Sequence, residues 1–492
     1  MKKALTILFT ITLLVSCGVA KKSTYNPNKK FSATALREDF SLLQTILKKN
    51  HPSLYWYTTK DSLDSYFTLT EATLKDSLTE QQFRNKVSWL TSKIRCGHTS
   101  VRSSKDYARY FTIKSPPQFP LLLKVWKDSA IITGSLSRED SVLERGTILT
   151  GINGVSSKQI IDSICNLIGT DGYADIFKYQ AVSFNFPAYY RNAFGVDSQY
   201  IVNYVDSIGL AKAITLKNFI AVPDTAKKKR PVEASVPLTR KHLRELRISN
   251  LRNIKVDTTN NTALLAVNTF SSGKLIRFFN RSFKQIKNDG IKNVVVDLRL
   301  NSGGSVLACT RLSQFLIDKP FHIADTVVAT SRSFEGKKYI KPWFLYWLSM
   351  QFSGKKHSDG RIHFRYFEKH YFKPKKKNHF DGHIYLLTSG YTFSAATLVT
   401  NNLKGQKNVK VVGEETGGGS YGNSAMFLPT ITLPNTGIRI TLPIYRMVFN
   451  GTKPKTGRGV FPDVEVGPSS IYIRKGVDAK IEKVMELIKS GD

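Results

Sequence analysis

The stretch HIYLLTSGYTFSAATLV, residues 383–399, gives the clearest indication of the fold. Ile384–Leu387 is a short apolar run that favours a buried parallel strand. The run stops at Ser389 and Gly390, and the small residues after Phe393 favour the first turns of a helix packed close to a sheet. The stretch therefore predicts a strand, a sharp turn and a helix that begins at Ser394.

Ser394 is a candidate nucleophile because of this position. A sharp strand–helix turn exposes a hydroxyl group, and the free N–H groups at the start of a helix favour developing negative charge. Serine is also common at helix starts as a capping residue. Taken alone, the stretch leaves both interpretations open.

An alternation of apolar strands and amphipathic helices surrounds this stretch. It predicts a parallel α/β core, residues 256–492. A segment rich in aromatic residues, 330–380, interrupts the alternation and is either a lid or an ordinary packed subdomain. The expected strands are Ala263–Val267, Asn293–Leu298 and Val409–Val412, and the expected helices are Leu275–Asn288 and Val306–Leu316.

Two glycines, Gly303 and Gly304, follow one of these strands in Asp-Leu-Arg-Leu-Asn-Ser-Gly-Gly, residues 297–304. Glycine lets backbone N–H groups face a ligand without obstruction by a side chain. In an acyl-transfer enzyme such groups form an oxyanion hole, to which the N–H of Ala395 would also contribute. A simple strand–helix turn would have the same residues.

The N-terminal part of the mature chain has two different patterns. Residues 31–105 favour helices, the first of which ends at His51-Pro52 because proline disfavours helix in the residue before it. Residues 106–210 are rich in strand patterns, with an Asn153-Gly154 turn before a helix from Ser157. That order resembles a PDZ module, which binds extended peptides at a sheet edge. Residues 211–255 are expected to connect this module to the core.

Four motifs in order are similar to those of the carboxy-terminal processing peptidase family, which includes tail-specific proteases and the tricorn core. They are the Asp297–Gly304 segment, the Ser394 segment, Val-Val-Gly-Glu-Glu-Thr-Gly-Gly-Gly at 411–419, and Gly-Val-Phe-Pro-Asp at 459–463. The resemblance covers nearly all of the mature chain. It implies a serine peptidase with a crotonase-like α/β core and polypeptide substrates.

The resemblance also implies the general base. Tail-specific proteases carry a catalytic lysine near the end of the third motif, where this chain has Gly419. The tricorn-like branch uses a histidine in a Gly-His-Thr element, which matches Gly97-His98-Thr99. His98 is therefore expected to activate Ser394, since a neutral imidazole accepts a proton near neutral pH. The orienting acid is not identified: the tricorn-like position holds Thr456, and Glu414 and Glu415 are candidates for supporting a turn.

The first 17 residues are typical of a targeting segment. Lys2 and Lys3 precede an apolar run, Ala4–Val15, and Leu-Val-Ser-Cys at 14–17 resembles a bacterial lipobox that ends at a lipid-modified Cys17. An ordinary signal peptide is the alternative. Residues 18–30 are expected to be a polar tether. We expect a lipid-anchored protein of the cell envelope that faces the periplasm, with the outer membrane as the favoured location.

The composition narrows the classes of partner. Its 73 Lys and Arg against 37 Asp and Glu give a net charge of +36, but the charges are dispersed and accompany no nucleic-acid motif. We therefore expect no nucleic-acid partner.

Cys96, Cys165 and Cys309 are expected to be buried thiols. Neither they nor the histidines have metal-ligand spacing, so no metal or cofactor is expected.

Two functions follow from the sequence. The first is an envelope serine endopeptidase that cleaves unfolded or tail-exposed proteins through an acyl-enzyme, with Ser394 as nucleophile and His98 as base. The second is a non-catalytic lipoprotein that binds peptides or hydrophobic ligands on the same scaffold. The retained Ser394, His98 and double glycine favour the first, whereas the absent lysine and the unidentified acid favour the second.

Overall fold

The computed structural model describes residues 25–137, 143–221, 239–451 and 454–491. The expected targeting segment 1–17 with Cys17, most of the 18–30 tether and residues 222–238 of the expected connection lie outside the described residues. Within those four ranges, no helix is both long and apolar enough to span a membrane.

Helices dominate the N-terminal region, as the sequence predicts. The first three begin at hydroxyl caps: the Ser32, Thr59 and Thr79 side chains each accept a backbone hydrogen bond. The first helix ends at Asn50, directly before His51-Pro52. The elements are β1 (Lys30–Phe31), α1 (Ala33–Asn50), α2 (Lys60–Ala72), β2 (Leu78–Thr79), α3 (Glu80–Ser92), β3 (Val101–Arg102) and α4 (Lys105–Lys114).

An antiparallel sheet with three helices follows. Its elements are β4 (Leu121–Trp126), β5 (Ser129–Ser135), β6 (Ile148–Ile152), β7 (Val155–Ser156), α5 (Ser157–Cys165), α6 (Ile176–Phe184), α7 (Phe186–Phe194), β8 (Gln199–Val205) and β9 (Ala211–Lys217). The strand order is β4-β5-β6-β8-β9. Asn153 and Gly154, both at positive φ, turn the chain from β6 into β7. The sheet continues past the expected boundary at residue 210, because β9 pairs with β8 along its whole length.

The C-terminal region contains the remaining elements. In chain order they are α8 (Arg240–Leu251), β10 (Arg252–Asp257), β11 (Thr262–Val267), α9 (Leu275–Asn288), β12 (Asn293–Asp297), α10 (Val306–Leu316), β13 (Ala324–Ala329), β14 (Ile340–Lys341), α11 (Trp343–Ser353), β15 (Lys355–Lys356), β16 (Ile362–His363), α12 (Arg365–Lys369), β17 (His383–Thr388), α13 (Ala395–Leu403), β18 (Val409–Gly413), β19 (Gly422–Ala425), β20 (Thr430–Thr432), β21 (Arg439–Thr441), β22 (Tyr445–Phe449), β23 (Val464–Glu465), α14 (Ser470–Lys475) and α15 (Ala479–Ser490). The core begins at Arg252 and not at 256, because β10 pairs with β11 from that residue on.

The central sheet has the order β10-β11-β12-β17-β18-β23, and every neighbouring pair except β10–β11 is parallel. This confirms the predicted α/β alternation from β11 to β18, where a helix lies between each strand and the next strand of this sheet. Since parallel strands end at the same edge, the loop after β12 and the loop after β17 meet there. These loops carry the double glycine and Ser394.

Two smaller antiparallel sheets surround that edge. The first has the order β15-β16-β13-β22-β19, and the second has the order β14-β20-β21-β3. The aromatic segment 330–380 therefore contributes strands to both sheets and is not a separate subdomain. Strand β3 comes from the N-terminal region and pairs with β21, which joins that region to the C-terminal core.

The buried apolar side chains form separate clusters in the core and in the β4–β9 sheet. Leu36, Phe40, Leu43 and Leu47 of α1 are fully buried in one hydrophobic cluster with core residues such as Val296 and Leu386. The β4–β9 sheet has its own cluster. The N-terminal helices and the C-terminal core thus form one folding unit, whereas the antiparallel module buries its apolar residues separately.

Candidate active site

Ser394 lies on a strained turn between β17 and α13. Its backbone has φ +52° and ψ −119°, a region that residues with a Cβ atom rarely occupy. The residue is the N-cap of α13, and its side chain makes no capping hydrogen bond. The hydroxyl therefore does not cap the helix, which was the alternative that the sequence left open. It is available for another contact.

Neighbouring hydroxyls and amides hold this turn against the loop after β12. Thr392 Oγ1 donates to the Leu298 carbonyl at 2.9 Å, and Ser389 Oγ donates to the Arg299 carbonyl at 2.7 Å. The third motif supports the turn from behind, where the Gly417 N–H donates to the Thr392 carbonyl at 3.0 Å. The three motifs thus meet around one residue.

His98 lies next to Ser394 although 296 residues separate them in the chain. Its Nε2 is 3.1 Å from Ser394 Oγ, and its ring packs against Phe393 with centroids 5.0 Å apart. The following residue, Thr99, shares a 2.8 Å hydrogen bond with the buried His51 ring. The fold brings together the two side chains that the sequence predicted as nucleophile and base.

Burial sets the protonation of His98. The side chain is only 9% exposed, and burial lowers its pKa to about 4. The imidazole is consequently neutral at neutral pH. Because Nε2 faces a hydroxyl, the neutral ring can accept the Ser394 proton there.

Asp171 supplies an acid that the sequence did not identify. Its side chain is 2% exposed, and its Oδ1 lies 4.0 Å from His98 Nδ1. Two backbone amides hold the carboxyl: the Gly97 N–H donates to Oδ1 at 2.9 Å and the Gly419 N–H donates to Oδ2 at 3.4 Å. His98 Nδ1 is buried and has no hydrogen-bond partner among the described residues. Asp171 is the acid whose oxygen lies beside this nitrogen.

Burial also acts on Asp171. It raises the pKa of the carboxyl to about 7, against the opposite effect of the two amide donors. The acid comes from the loop between α5 and α6, in the antiparallel module. Gly419, which stands where tail-specific proteases have their lysine, contacts this carboxyl instead.

The other acid candidates have different partners. Glu415 pairs with Arg458 and accepts from the Gly459 N–H at 2.6 Å. Glu414 pairs with Lys480 and accepts from Gln180. Thr456 Oγ1 accepts from the Arg458 N–H at 3.2 Å. These residues stabilise the turns of the third motif (411–419) and the fourth motif (459–463).

Backbone amides beside Ser394 form the candidate oxyanion hole. The N–H groups of Gly304 and Ala395 have no protein acceptor within the described ranges, whereas the Gly303 N–H donates to Asn301 Oδ1 at 2.9 Å. Gly304 and Ala395 are therefore the better-placed pair of donors. Gly303 is needed for space, since a Cβ atom there would lie 2.7 Å from Ser394 Cβ.

We expect Gly303→Ala to reduce kcat/KM by about tenfold to a hundredfold, because the new methyl group would displace Ser394 from His98. Gly209→Ala is the matched control. Gly209 also has a positive φ, +88° against +105° for Gly303, but a Cβ atom there would meet nothing within 4 Å. Peptide hydrolysis and thermal unfolding should be measured for both. Equal activity losses in the two variants would contradict this role for Gly303.

An open cleft of about 470 Å³ contains His98, Gly303, Gly304, Ser394 and Ala395. Apart from these residues its lining is largely apolar: Val306, Tyr346, Leu398, Ala425, Met426, Phe427, Leu428, Met447 and Phe449. The described residues contain no cluster of side chains suited to a metal ion. Cys96, Cys165 and Cys309 are buried free thiols, as the sequence predicted.

Comparison with known families identifies the core. Residues 261–466 match the family model Peptidase_S41, peptidase family S41. The chain carries a serine-type peptidase domain of family S41. This confirms the predicted family and enzyme class. Peptidase family S41 also explains the order of the motifs, since the matched range contains the double glycine, Ser394 and both later motifs.

Two solved structures of mature CPAF support the same fold over nearly the whole chain. Mature CPAF is 13% identical with a TM-score of 0.64, covering 94% of this chain and 98% of its own. Mature CPAF complexed with lactacystin is 14% identical with the same TM-score, at 94% and 99% coverage. A putative peptidase from Parabacteroides merdae ATCC 43184 is 14% identical with a TM-score of 0.47, at 93% and 97% coverage. No curated protein matches the chain.

Proposed function

We propose that this S41 peptidase is an endopeptidase that cleaves unfolded or tail-exposed polypeptides through an acyl-enzyme on Ser394. The observation that carries the proposal is the 3.1 Å contact between His98 Nε2 and Ser394 Oγ beside two free backbone amides in an open cleft. A hydroxyl, a neutral base and preorganised donors are the groups that acyl transfer needs.

In this proposal each group has one role. His98 Nε2 takes the Ser394 proton while Oγ attacks the scissile carbonyl, and the Gly304 and Ala395 N–H groups stabilise the oxyanion. The carbon–nitrogen bond then breaks, and His98 gives its proton to the leaving amine. Water, deprotonated by His98, releases the acyl group and restores Ser394. Asp171 is a positioning residue that orients His98 through Nδ1 and stabilises the imidazolium.

Two finer features of the fold belong to the same proposal. We assign the antiparallel module to the PDZ type and the C-terminal core to the crotonase-like type. Support for the module comes from the hairpin at Asn153-Gly154 followed by α5. The edge of the sheet at β4 is covered by α6. Ser183 Oγ of that helix accepts from the Val125 N–H and donates to the Val125 carbonyl. The edge at β9 has mostly exposed side chains and is the one that a peptide strand would reach.

We also propose that the protein is a lipoprotein of the cell envelope, anchored through Cys17 and facing the periplasm, in the outer membrane. The lipobox-like Leu-Val-Ser-Cys at 14–17 and the apolar run before it support this location. Within the expected tether, Tyr25 is the first described residue, and its hydroxyl donates to Glu80 at 2.7 Å.

The apolar cleft predicts the substrate preference. We expect peptides with a large apolar residue next to the scissile bond to be cleaved with kcat/KM about tenfold or more above matched peptides with Asp or Lys there. The reason is that Met426, Phe427, Met447 and Phe449 offer no partner to a charged side chain. Profiling with an unfolded peptide library would check this, with the same sequences in a folded protein as the control. A preference for charged residues would contradict the assignment of this cleft.

The non-catalytic alternative is not favoured. A binding protein has no need for a strained serine whose hydroxyl faces a neutral histidine. The S41 family match adds to this, since it covers the nucleophile and the candidate oxyanion hole.

A further inference from the structure

Helix α11 presents an apolar face to solvent. Phe344, Leu345, Leu348 and Phe352 are exposed by 52%, 59%, 39% and 85%. Their spacing places them along one side of a helix. Exposed apolar residues are common singly, but a contiguous set on one helix indicates an interaction surface.

The opposite side holds the helix on the protein. Met350 is fully buried, and Tyr346 packs against Phe427 with ring centroids 5.1 Å apart. Both Tyr346 and Phe427 line the cleft at Ser394. The exposed face is thus not the side of α11 that lines the active site. Its four apolar side chains remain largely exposed to solvent.

The ends of α11 are strongly basic. Lys337, Lys338 and Lys341 precede the helix and Lys355 and Lys356 follow it, and all five side chains are exposed. Residues 336–358 contain no acidic residue, and none of these lysines forms an ion pair within the described part of the chain. An apolar centre between two groups of lysines is complementary to an anionic lipid surface, which offers phosphates above an apolar layer.

We infer that α11 docks on an anionic lipid bilayer, with its four apolar side chains in the headgroup region and its flanking lysines on lipid phosphates. A second copy of this chain is a poorer occupant. A two-fold contact through α11 would place the same lysines opposite each other, in a protein whose net charge is already +36. Because α11 also lines the cleft, docking sets the mouth of the active site beside the membrane. The inference does not depend on catalysis or on the lipid at Cys17.

A fluorophore at the tip of the face tests the docking directly. An environment-sensitive probe such as NBD is attached to Phe352→Cys in the full chain with Cys17→Ser, so that the other cysteines are the three buried ones. Vesicles of phosphatidylcholine with and without phosphatidylglycerol are then added. We expect a blue shift and a brighter emission with the anionic vesicles. The matched control is the same probe on Ile208→Cys, an apolar residue of similar exposure (76%) in the β8–β9 turn, and it should not respond.

The lysines are tested in the same assay. Lys355→Gln with Lys356→Gln should raise the lipid concentration at half-response by about tenfold. Lys284→Gln with Lys287→Gln removes the same charge from exposed positions on α9 and should have little effect. The inference is overturned if the probe at 352 does not respond to anionic vesicles, or responds equally to phosphatidylcholine alone. A shift that depends on protein concentration without vesicles would overturn it in favour of a second copy.

Discussion

Ser394→Ala should lower peptide hydrolysis by at least about a thousandfold and abolish labelling by a fluorophosphonate probe. Among the described residues, the Ser394 hydroxyl lies 3.1 Å from His98 Nε2 and beside the free amides of Gly304 and Ala395. Because Ser394 makes no capping bond, alanine should leave the fold intact. Thermal unfolding of the variant should therefore remain within a few degrees of the parent.

Two further variants make that result specific. His98→Ala should lose a similar factor, because without the imidazole nothing removes the serine proton. Ser302→Ala is the matched control, since Ser302 lines the same cleft and has no contact with His98. It should change the rate by a few-fold at most. Undiminished hydrolysis by Ser394→Ala would disprove the nucleophile, and with it the acyl-enzyme.

Asp171→Asn should lower kcat by about a hundredfold to ten-thousandfold while KM changes little. Asparagine has nearly the same shape, and its single oxygen can keep the 2.9 Å hydrogen bond from the Gly97 N–H, so the loop should hold its shape although the weaker bond from Gly419 is lost. It lacks the charge that stabilises the imidazolium during proton transfer. Asp175→Asn is the control, because Asp175 lies in the same loop, is half exposed and pairs with Lys178 at 2.7 Å.

The pH dependence separates this role from a structural one. In the parent, activity should rise as pH passes through about 7, where Asp171 loses its proton, and this limb should be absent in Asp171→Asn. The folded-state pKa is raised, so the stabilising contribution of the protonated carboxyl is complete below pH 4 and is lost as pH rises through 7. Urea unfolding should show the variant gaining stability relative to the parent over that window. Parallel pH–rate profiles for the two proteins would mean that Asp171 only supports the loop.

Local patterns predicted the parts of the site that depend on neighbouring residues. The strand, turn and small-residue helix around Ser394 follow from residues 383–399 alone. The double glycine is predictable because the backbone must come close to Ser394. A Cβ atom at Gly303 would lie only 2.7 Å from Ser394 Cβ. His98 required the family resemblance, because a single histidine in a loop has no periodicity that marks it.

Asp171 had no such signal. It lies between glycines in a loop of the module, and only tertiary packing brings it to His98 and Gly419. A Gly-Thr-Asp-Gly sequence is typical of an ordinary turn. The module boundary at 210 failed for a related reason, since Ala211–Lys217 alternates weakly and is recognisable as a strand only through its pairing with β8.

His98 stands outside the 261–466 range that carries Ser394, and the two halves share one hydrophobic core. During synthesis the base therefore emerges long before the nucleophile, and neither can act until the N-terminal helices have packed against the finished sheet. The chain is consequently latent while it is being made. A chain in which the two halves have not yet packed together lacks the proposed pair of Ser394 and His98, and therefore cannot cut itself at this site.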